Sequence, residues 1–545
     1  MPQANSLEAR GPAMRAGGFW VDKTMDAFLC DAVAHFPAKT AIIADRADGE
    51  VPKRFTYGEL GGMVSRVAGA LHAMGVAHGD IVSAQLPNWW EFVVTALACG
   101  RIGAVVNPLM PIFRERELRY MLGFAQSKLL IVPSVFRGFD HAAMAAGMCS
   151  ELPDLKRVIV VDGEGDDSFN ACLLESSAPP IGPNDAKANL LQPDDLALMV
   201  FTSGTTGSPK GVMHSSNTLI ACINSLRGRF GLHSDDVLMC VTPVGHMIGY
   251  AAIVMLTLRL GGTVVLQDVW DAPRGVRLMA EHGVTFTAAS TPFLADICDA
   301  VAAGAERPAQ LRSFLCGGAS IPPALILRAA RELDLSVCSL WGMTEALSGT
   351  LTEPSRASEK SASTDGRPLE GMDIRIVDHE NRPLPAGETG RLMVRGSQVF
   401  LGYYKRPDLP ALDAQGWFDS GDLAYMDEDG YIRINGRTKD VLIRGGENVP
   451  VFEIESLLHR HPAISAAAIV GYPDDRLGER ACAFVVLKPG FTMDLAAVQA
   501  HMADSQVAKQ YWPERVRVLD ELPRTASGKI QKFKLREMAA EKETN

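Results

Sequence analysis

The run Leu196-Ala197-Leu198-Met199-Val200-Phe201-Thr202, followed at once by Ser203-Gly204-Thr205-Thr206-Gly207-Ser208-Pro209-Lys210-Gly211, governs the reading of the whole chain. The first part is apolar, short and bounded by Asp195 and a turn-forming cluster, which predicts a buried strand rather than a helix. The second part combines three glycines, four hydroxyls and one lysine. Glycines let a backbone curl closely around a ligand, hydroxyls offer neutral hydrogen bonds and the ammonium supplies charge, which together equip a loop to grip phosphate. The loop is not a Walker A sequence, because the second glycine of that pattern would fall on Pro209.

Outward from this stretch the same alternation of helical periodicity and short β-rich runs continues in both directions. Upstream, strands are expected at Ile81 to Leu86, Leu129 to Val132 and Val158 to Val161; downstream, at Thr263 to Leu266, Phe286 to Ala289 and Phe314 to Cys316. Met247 to Leu258 reads as a buried helix, too short to span a membrane. Strands alternating with helices imply an α/β fold with helix-covered sheets. Past Gly366 the texture changes to turn-rich strands at Asp373 to Asp378, Gly390 to Arg395, Trp417 to Asp422 and Tyr431 to Ile434, a small and mostly antiparallel unit. After Gly436-Arg437-Thr438-Lys439-Asp440 a compact α/β stretch begins, with helices near Pro450 to His461 and Asp494 to Met502 and strands at Ala466 to Val470 and Cys482 to Leu487. The expected division is a large domain over 1–438 and a small one over 439–545. A chain of 545 residues holds three or four domain-sized units at ~150 residues each.

Composition narrows the function classes. Hydrophobic residues at 47% and charged residues at 21% exclude a disordered or collagen-like chain. The net charge of −11 and the absence of a basic block leave a nucleic-acid partner no electrostatic footprint. Ten scattered cysteines without a C-x-x-C pair read as buried, reduced thiols. No apolar signal core opens the sequence, so a cytoplasmic location is expected, and a homodimer is expected on base rates alone.

At the 202–211 run the sequence resembles the adenylate-forming superfamily, which includes acyl-CoA synthetases, adenylation domains of peptide synthetases and firefly luciferase. Further stretches carry the resemblance in chain order: Pro243-Val244-Gly245-His246, Cys316-Gly317-Gly318-Ala319, Trp341-Gly342-Met343-Thr344-Glu345, Ser420-Gly421-Asp422-Leu423, Gly436-Arg437-Thr438-Lys439-Asp440, Gly445-Gly446-Glu447-Asn448 and Pro523-Arg524-Thr525-Ala526-Ser527-Gly528-Lys529. It covers roughly residues 20 to 540.

The resemblance implies a role for each of these residues. Thr202, Ser203, Gly204, Thr205, Thr206, Gly207 and Lys210 would close over the β- and γ-phosphates of ATP, and Gly317, Gly318 and Ala319 would line the AMP site. In Trp341-Gly342-Met343-Thr344-Glu345 the first position is usually a tyrosine stacked on adenine; Trp341 keeps a π-face for stacking but lacks the phenol hydroxyl, which puts a hydrogen bond from that group in doubt. Thr344 would reach the α-phosphate, and Glu345 would hold Mg2+, which takes hard oxygen ligands. Asp422 would accept from the ribose hydroxyls, with Arg437 on the same sugar. Taken alone, Asp422 is more often a turn residue. Lys529 would be the catalytic lysine, since bringing a carboxylate against an α-phosphate needs a mobile cation. Lys439 matches a hinge position, and Gly445, Gly446, Glu447 and Asn448 match the loop that lines the CoA tunnel. His246 matches a residue that gates the acyl pocket, although a lone histidine after glycine is more often a packing or turn residue.

Only sixteen residues follow Lys529, so a stand-alone enzyme is expected rather than one fused to a carrier module. Met14 to Trp20, Leu477-Gly478-Glu479-Arg480 and Ser527 to Lys532 most resemble CoA ligases for short or medium fatty acids and for cyclohexanecarboxylate. The expected reaction is ATP-dependent ligation of a small-molecule carboxylic acid to CoA through an acyl-adenylate. An aryl acid, or an amine or oxygen acceptor in place of CoA, stays open. Expected pocket walls are His246 to Ala251, Ser290 to Leu294 and Gly317 to Ser320, whose apolar character suits a fatty or alicyclic tail.

Overall fold

The computed structural model describes residues 4–185, 191–202, 209–318, 321–409, 412–438, 442–444, 447–449, 451–474, 476–505, 507–524 and 530–541. Two large sheets dominate. In the nine-stranded sheet the central strands Thr40–Asp45, Thr263–Gln267, Val237–Cys240, Phe286–Ala289, Ser313–Gly317 and Ser336–Met343 run parallel, and antiparallel strands close both edges. In the seven-stranded sheet Leu196–Thr202, Val105–Pro108, Ile81–Ala84, Leu129–Pro133 and Arg157–Val161 are parallel, with Lys210–Ser215 turning back antiparallel on one side. Such strands are covered on both faces and therefore read as unbroken apolar runs; every residue of Ile81–Ala84 and Phe286–Ala289 is buried.

One apolar core joins the sheets. It takes Ile42, Val264 and Leu238 from the first, Val82, Leu198 and Val212 from the second, and the inward faces of the helices Tyr57–Ala73, Trp90–Ile102 and Ser216–Phe230. The first of these helices starts where the sequence says it should. The Thr56 hydroxyl accepts from the Glu59 N–H (3.2 Å), and the Glu59 carboxylate accepts from the Thr56 N–H (2.7 Å), a reciprocal cap. Helix Trp90–Ile102 is buried on nearly all sides and brings Arg101 into the core. Its guanidinium donates to Asp26 (2.7 Å to Oδ1) and to the Ser65 hydroxyl (2.8 Å), at 2% and 1% side-chain exposure for the ion pair. Removing one partner of such a pair strands the other charge. Asp26→Ala is therefore expected to lower stability by about 3–5 kcal/mol, read as a fall in the urea midpoint, with turnover per folded molecule unchanged.

Several expectations need correcting. Lys53–Thr56 is an antiparallel edge strand, unrecognised because its Lys-Arg start reads as solvated loop. Met247 to Leu258 is helical, but Ile248–Met255 winds in wide π-helical turns before Leu256–Leu260 resumes α geometry. A Cβ on Gly249 would stand 2.5 Å from the Pro243 carbonyl oxygen, so the helix is pressed onto that loop where it widens, as helices do beside functional sites. The four-stranded unit is antiparallel as expected, but its last two strands run longer, Phe418–Met426 and Ile432–Arg437, which puts Arg437 on a strand. Among the cysteines, Cys149 is exposed and Cys30 half-buried; the other eight are buried, and none is in a disulfide. Among the described residues no helix is long and apolar enough to cross a membrane.

The small C-terminal unit packs the helix Val451–His459 on the long hairpin Ile464–Asp474/Gly478–Leu487, with Arg515–Val518 added in parallel. Lys439, where the hinge was expected, lies outside the described residues.

At the other end of the chain, the helix Ala4–Ala16 is tied far away. Arg10 donates to the carbonyls of Gly396 (3.3 Å) and Phe400 (3.0 Å), and the Trp20 indole donates to Ser397 (2.9 Å). Arg10 and Arg15 each place a guanidinium 5.4 Å from the centre of the Trp20 ring, so one indole serves two cations.

Candidate active site

The stretch expected to grip phosphate links two paired strands. Thr202 stands opposite Lys210 in the antiparallel register, so the mouth of the loop is fixed even though Ser203, Gly204, Thr205, Thr206 and Gly207 lie outside the described residues. Lys210 begins the return strand and does not sit in the loop itself. Its ammonium lies 5.0 Å from the centre of the Tyr403 ring.

Gly317 and Gly318 close the strand Ser313–Gly317, beside the strand Ser336–Met343 that carries Trp341, Gly342 and Met343. Both ends point the same way, and ligands of open α/β sheets bind outside the carboxyl ends of parallel strands. Gly318 has φ +82°, a left-handed conformation that favours glycine. Ala319 lies outside the described residues. At Gly342 a Cβ would stand 2.1 Å from the Leu347 carbonyl oxygen, so the tight turn into Leu347–Leu351 requires glycine there.

That turn presents Thr344 and Glu345, and the surroundings hold it from three directions. His214 Nε2 lies 2.7 Å from the Thr344 carbonyl oxygen, and Nδ1 lies 3.1 Å from the Thr218 hydroxyl. A carbonyl only accepts, so Nε2 carries the proton. Burial pulls the His214 pKa down to about 4, which keeps the ring neutral. The Phe400 N–H donates to the Glu345 carbonyl (2.8 Å), and the Tyr403 hydroxyl donates to the Glu345 carboxylate (2.9 Å). Glu345 is 8% exposed. Among the described residues no cluster of three or more His, Cys, Asp or Glu side chains could hold a metal. One carboxylate is nevertheless the donor set that suits Mg2+ carried on a nucleotide, because this ion keeps most of its other ligands as waters and phosphate oxygens.

Asp422 and Arg437 are direct partners across two antiparallel strands, with Arg437 Nε 2.9 Å from Asp422 Oδ1. The other carboxylate oxygen accepts from the Trp341 indole N–H at 2.8 Å. In place of the phenol hydroxyl, the indole thus supplies a donor of its own. It fits because Gly349 lacks a side chain; a Cβ there would stand 2.3 Å from the indole. The three residues meet although 81 positions separate Trp341 from Asp422.

His246 opens the wide helix. Its Nδ1 accepts from the Ile248 N–H (3.2 Å). The loop before it is held by Asn88, which the sequence reading missed. The Asn88 amide donates to the carbonyls of Cys240, Thr242 and Gln267 at 3.0 to 3.2 Å and accepts from the Val244 N–H at 2.8 Å. A Cβ on Gly318 would touch the tip of Ile248 (3.6 Å), so the stretches around His246 and Gly317 form adjoining walls. In the C-terminal unit Glu447 and Asn448 lie on the short strand Glu447–Val449, of which only the backbone is described at these two positions, while Gly445 and Gly446 fall outside the described residues. Lys529 does too. Its flanks are described: Arg524 bridges Ile530 antiparallel, and the Gln531 N–H donates to the Pro523 carbonyl (2.8 Å).

Comparison with known proteins accords with this geometry. The family model described as AMP-binding enzyme matches residues 29–404, and the one described as AMP-binding enzyme C-terminal domain matches 453–529. The chain is 36% identical over 532 residues to a medium-chain fatty-acid–CoA ligase of Escherichia coli (strain K12), covering 97% of this chain and 93% of that protein. It is 34% identical to a salicylyl-CoA synthase / salicylate adenylyltransferase of a Streptomyces species, covering 96% and 95%. Among solved structures it superposes on ATP-bound MatB from Rhodopseudomonas palustris with a TM-score of 0.83 at 29% identity, covering 95% of this chain and 99% of that one.

Proposed function

This chain belongs to the AMP-binding enzyme family and is an AMP-forming acid–CoA ligase, and on that premise we propose that its acid is a short- or medium-chain fatty acid or an alicyclic acid such as cyclohexanecarboxylate. The observation that carries the site reading is the meeting of Trp341, Asp422 and Arg437 next to the Thr344-Glu345 turn, a sugar-and-phosphate station built from separate motifs. The apolar walls, with Ile248 against Gly318 and Tyr250 packed edge-on to Phe92, support an uncharged tail.

In the first step a carboxylate oxygen of the acid attacks the α-phosphorus of ATP in line, the bond to the bridging oxygen breaks, and pyrophosphate leaves with its electron pair. Asp422 and Arg437 hold the ribose, Trp341 backs the adenine, Thr344 addresses the α-phosphate, and Thr202 with Lys210 bounds the loop over the β- and γ-phosphates. Mg2+, held by Glu345, would supply charge neutralisation on the phosphates. Lys529 brings its ammonium to the carboxylate and phosphate as their charges approach. In the second step the CoA thiolate attacks the acyl carbonyl and AMP departs. The C-terminal unit turns about Lys439 between the steps, bringing Gly445, Gly446, Glu447 and Asn448 to the pantetheine arm, with His246 at the acyl gate. The domain division falls at 438/439.

A second reading, an aryl acid as substrate, is favoured by the salicylate-activating relative. Pyrophosphate release from Mg-ATP across acetate to dodecanoate, cyclohexanecarboxylate, benzoate, salicylate and several amino acids, with and without CoA, tests both. CoA-dependent turnover peaking at C4 to C10 or at the alicyclic acid is the expected result. A benzoate or salicylate optimum selects the aryl reading, and release indifferent to CoA points to an amine or oxygen acceptor.

A further inference from the structure

Tyr403 belongs to none of the motifs above, yet separate parts of the nucleotide site converge on it. The strand Gly402–Tyr403 pairs antiparallel with Lys210–Ser215 and puts Tyr403 opposite Val212. The Leu401 and Tyr404 N–H groups donate to the carbonyls of Met213 (2.9 Å) and Gly211 (2.8 Å) and fix that register. Lys210 is two residues from Val212 and hence on the same face, and its ammonium stands 5.0 Å from the centre of the Tyr403 ring. The phenol hydroxyl donates to Glu345 Oε1 at 2.9 Å. The ring itself cannot wander: it is 5% exposed and packs edge-on against Phe400 at 4.9 Å, and Phe400 holds the Glu345 carbonyl through its own N–H.

We propose that Tyr403 is a positioning residue for the metal-nucleotide complex, its hydroxyl orienting the Glu345 carboxylate and its ring face seating the Lys210 ammonium, so that the two charges address one phosphate chain in a fixed relation. The proposal rests on the reading of Glu345 as the carboxylate that holds Mg2+. A ring that merely filled space would need no hydroxyl, because phenylalanine has the same shape. A carboxylate at 8% exposure with no donor on that oxygen would instead rotate to find one.

The test is equilibrium binding of ATP, titrated once with excess Mg2+ and once with EDTA, on the full-length wild type and on Tyr403→Phe. The ring and its contact with Lys210 survive in Y403F, and only the hydroxyl is lost. The expected result is that the Mg2+-dependent gain in ATP affinity shrinks by about tenfold, the scale of one hydrogen bond to a charged group, while affinity in EDTA stays within about twofold and the melting temperature within a few degrees. Tyr403→Leu, which also removes the ring face, is expected to weaken ATP in EDTA as well. Should Y403F fold poorly, Tyr403→Leu is read for the same Mg2+-dependent gain, because it too loses the hydroxyl and leaves Glu345 unchanged. An Mg2+ gain unchanged in whichever of the two variants folds overturns the proposal, and so does a wild type that binds ATP equally well with and without Mg2+. A wild type that shows the Tyr403-dependent Mg2+ gain yet releases no pyrophosphate with any acid would sink the ligase reading and leave this one standing.

Discussion

Lys529→Ala is expected to lower acid-dependent pyrophosphate release by about a thousandfold, the upper range for removing one preorganised charge from a transition state that develops charge. The reaction sets a carboxylate against a phosphate, and among the described motif lysines Lys210 is engaged with the Tyr403 ring. The described flanks pair with each other, the Gln531 N–H donating to the Pro523 carbonyl, and an unchanged melting curve is the expected control. If the C-terminal unit carries the lysine away before thioester formation, thiolysis of a supplied acyl-adenylate by CoA keeps its rate within about threefold. A loss of less than tenfold in pyrophosphate release would move the catalytic charge to another residue.

Asp422→Ala is expected to lower kcat/KM for ATP by about a hundredfold, chiefly through KM. A carboxylate accepting from ribose hydroxyls makes charge-assisted hydrogen bonds of about 1.5–3 kcal/mol each. Here the loss is compounded, because the same carboxylate organises Arg437 at 2.9 Å and the Trp341 indole at 2.8 Å, and both donors are left without it. Trp341→Phe removes only the indole N–H and keeps an aromatic face, so its effect on KM is expected to be near fivefold, within the range of a single hydrogen bond. Steady-state kinetics at saturating acid and CoA separate the two. Equal effects would show that the indole acts through more than its donor.

The parts of the molecule legible in the sequence are those set by local pattern. Leu196–Thr202 and Phe286–Ala289 are strands at the expected residues because their apolar runs end at turn-forming clusters. Two motif glycines are explained by the backbone, Gly342 by its approach to the Leu347 carbonyl and Gly318 by its left-handed φ. What stayed hidden acts across distance. Asn88 fixes the His246 loop through bonds spanning 152 to 179 residues. Tyr403 meets Glu345 across 58, and Gly349 matters only because the Trp341 indole lies over it. Periodicity cannot report such pairings, since a side chain's tertiary partner leaves no mark on its neighbours in sequence. The wide turns of Ile248–Met255 were hidden for a related reason: their apolar residues suit an α-helix equally well, and the deviation arises from the loop they are pressed against.

The clamp at the chain's beginning bears on how the protein is born. Arg10 and the Trp20 indole find their acceptors at Phe400 and Ser397, 390 and 377 residues later. On the ribosome, at ~5–20 residues per second, those acceptors emerge roughly 20–80 s after the donors. Through that interval Arg10 and the Trp20 indole lack these acceptors, so this contact, and with it the Phe400 peptide that holds Glu345, is secured only after residue 400 is made.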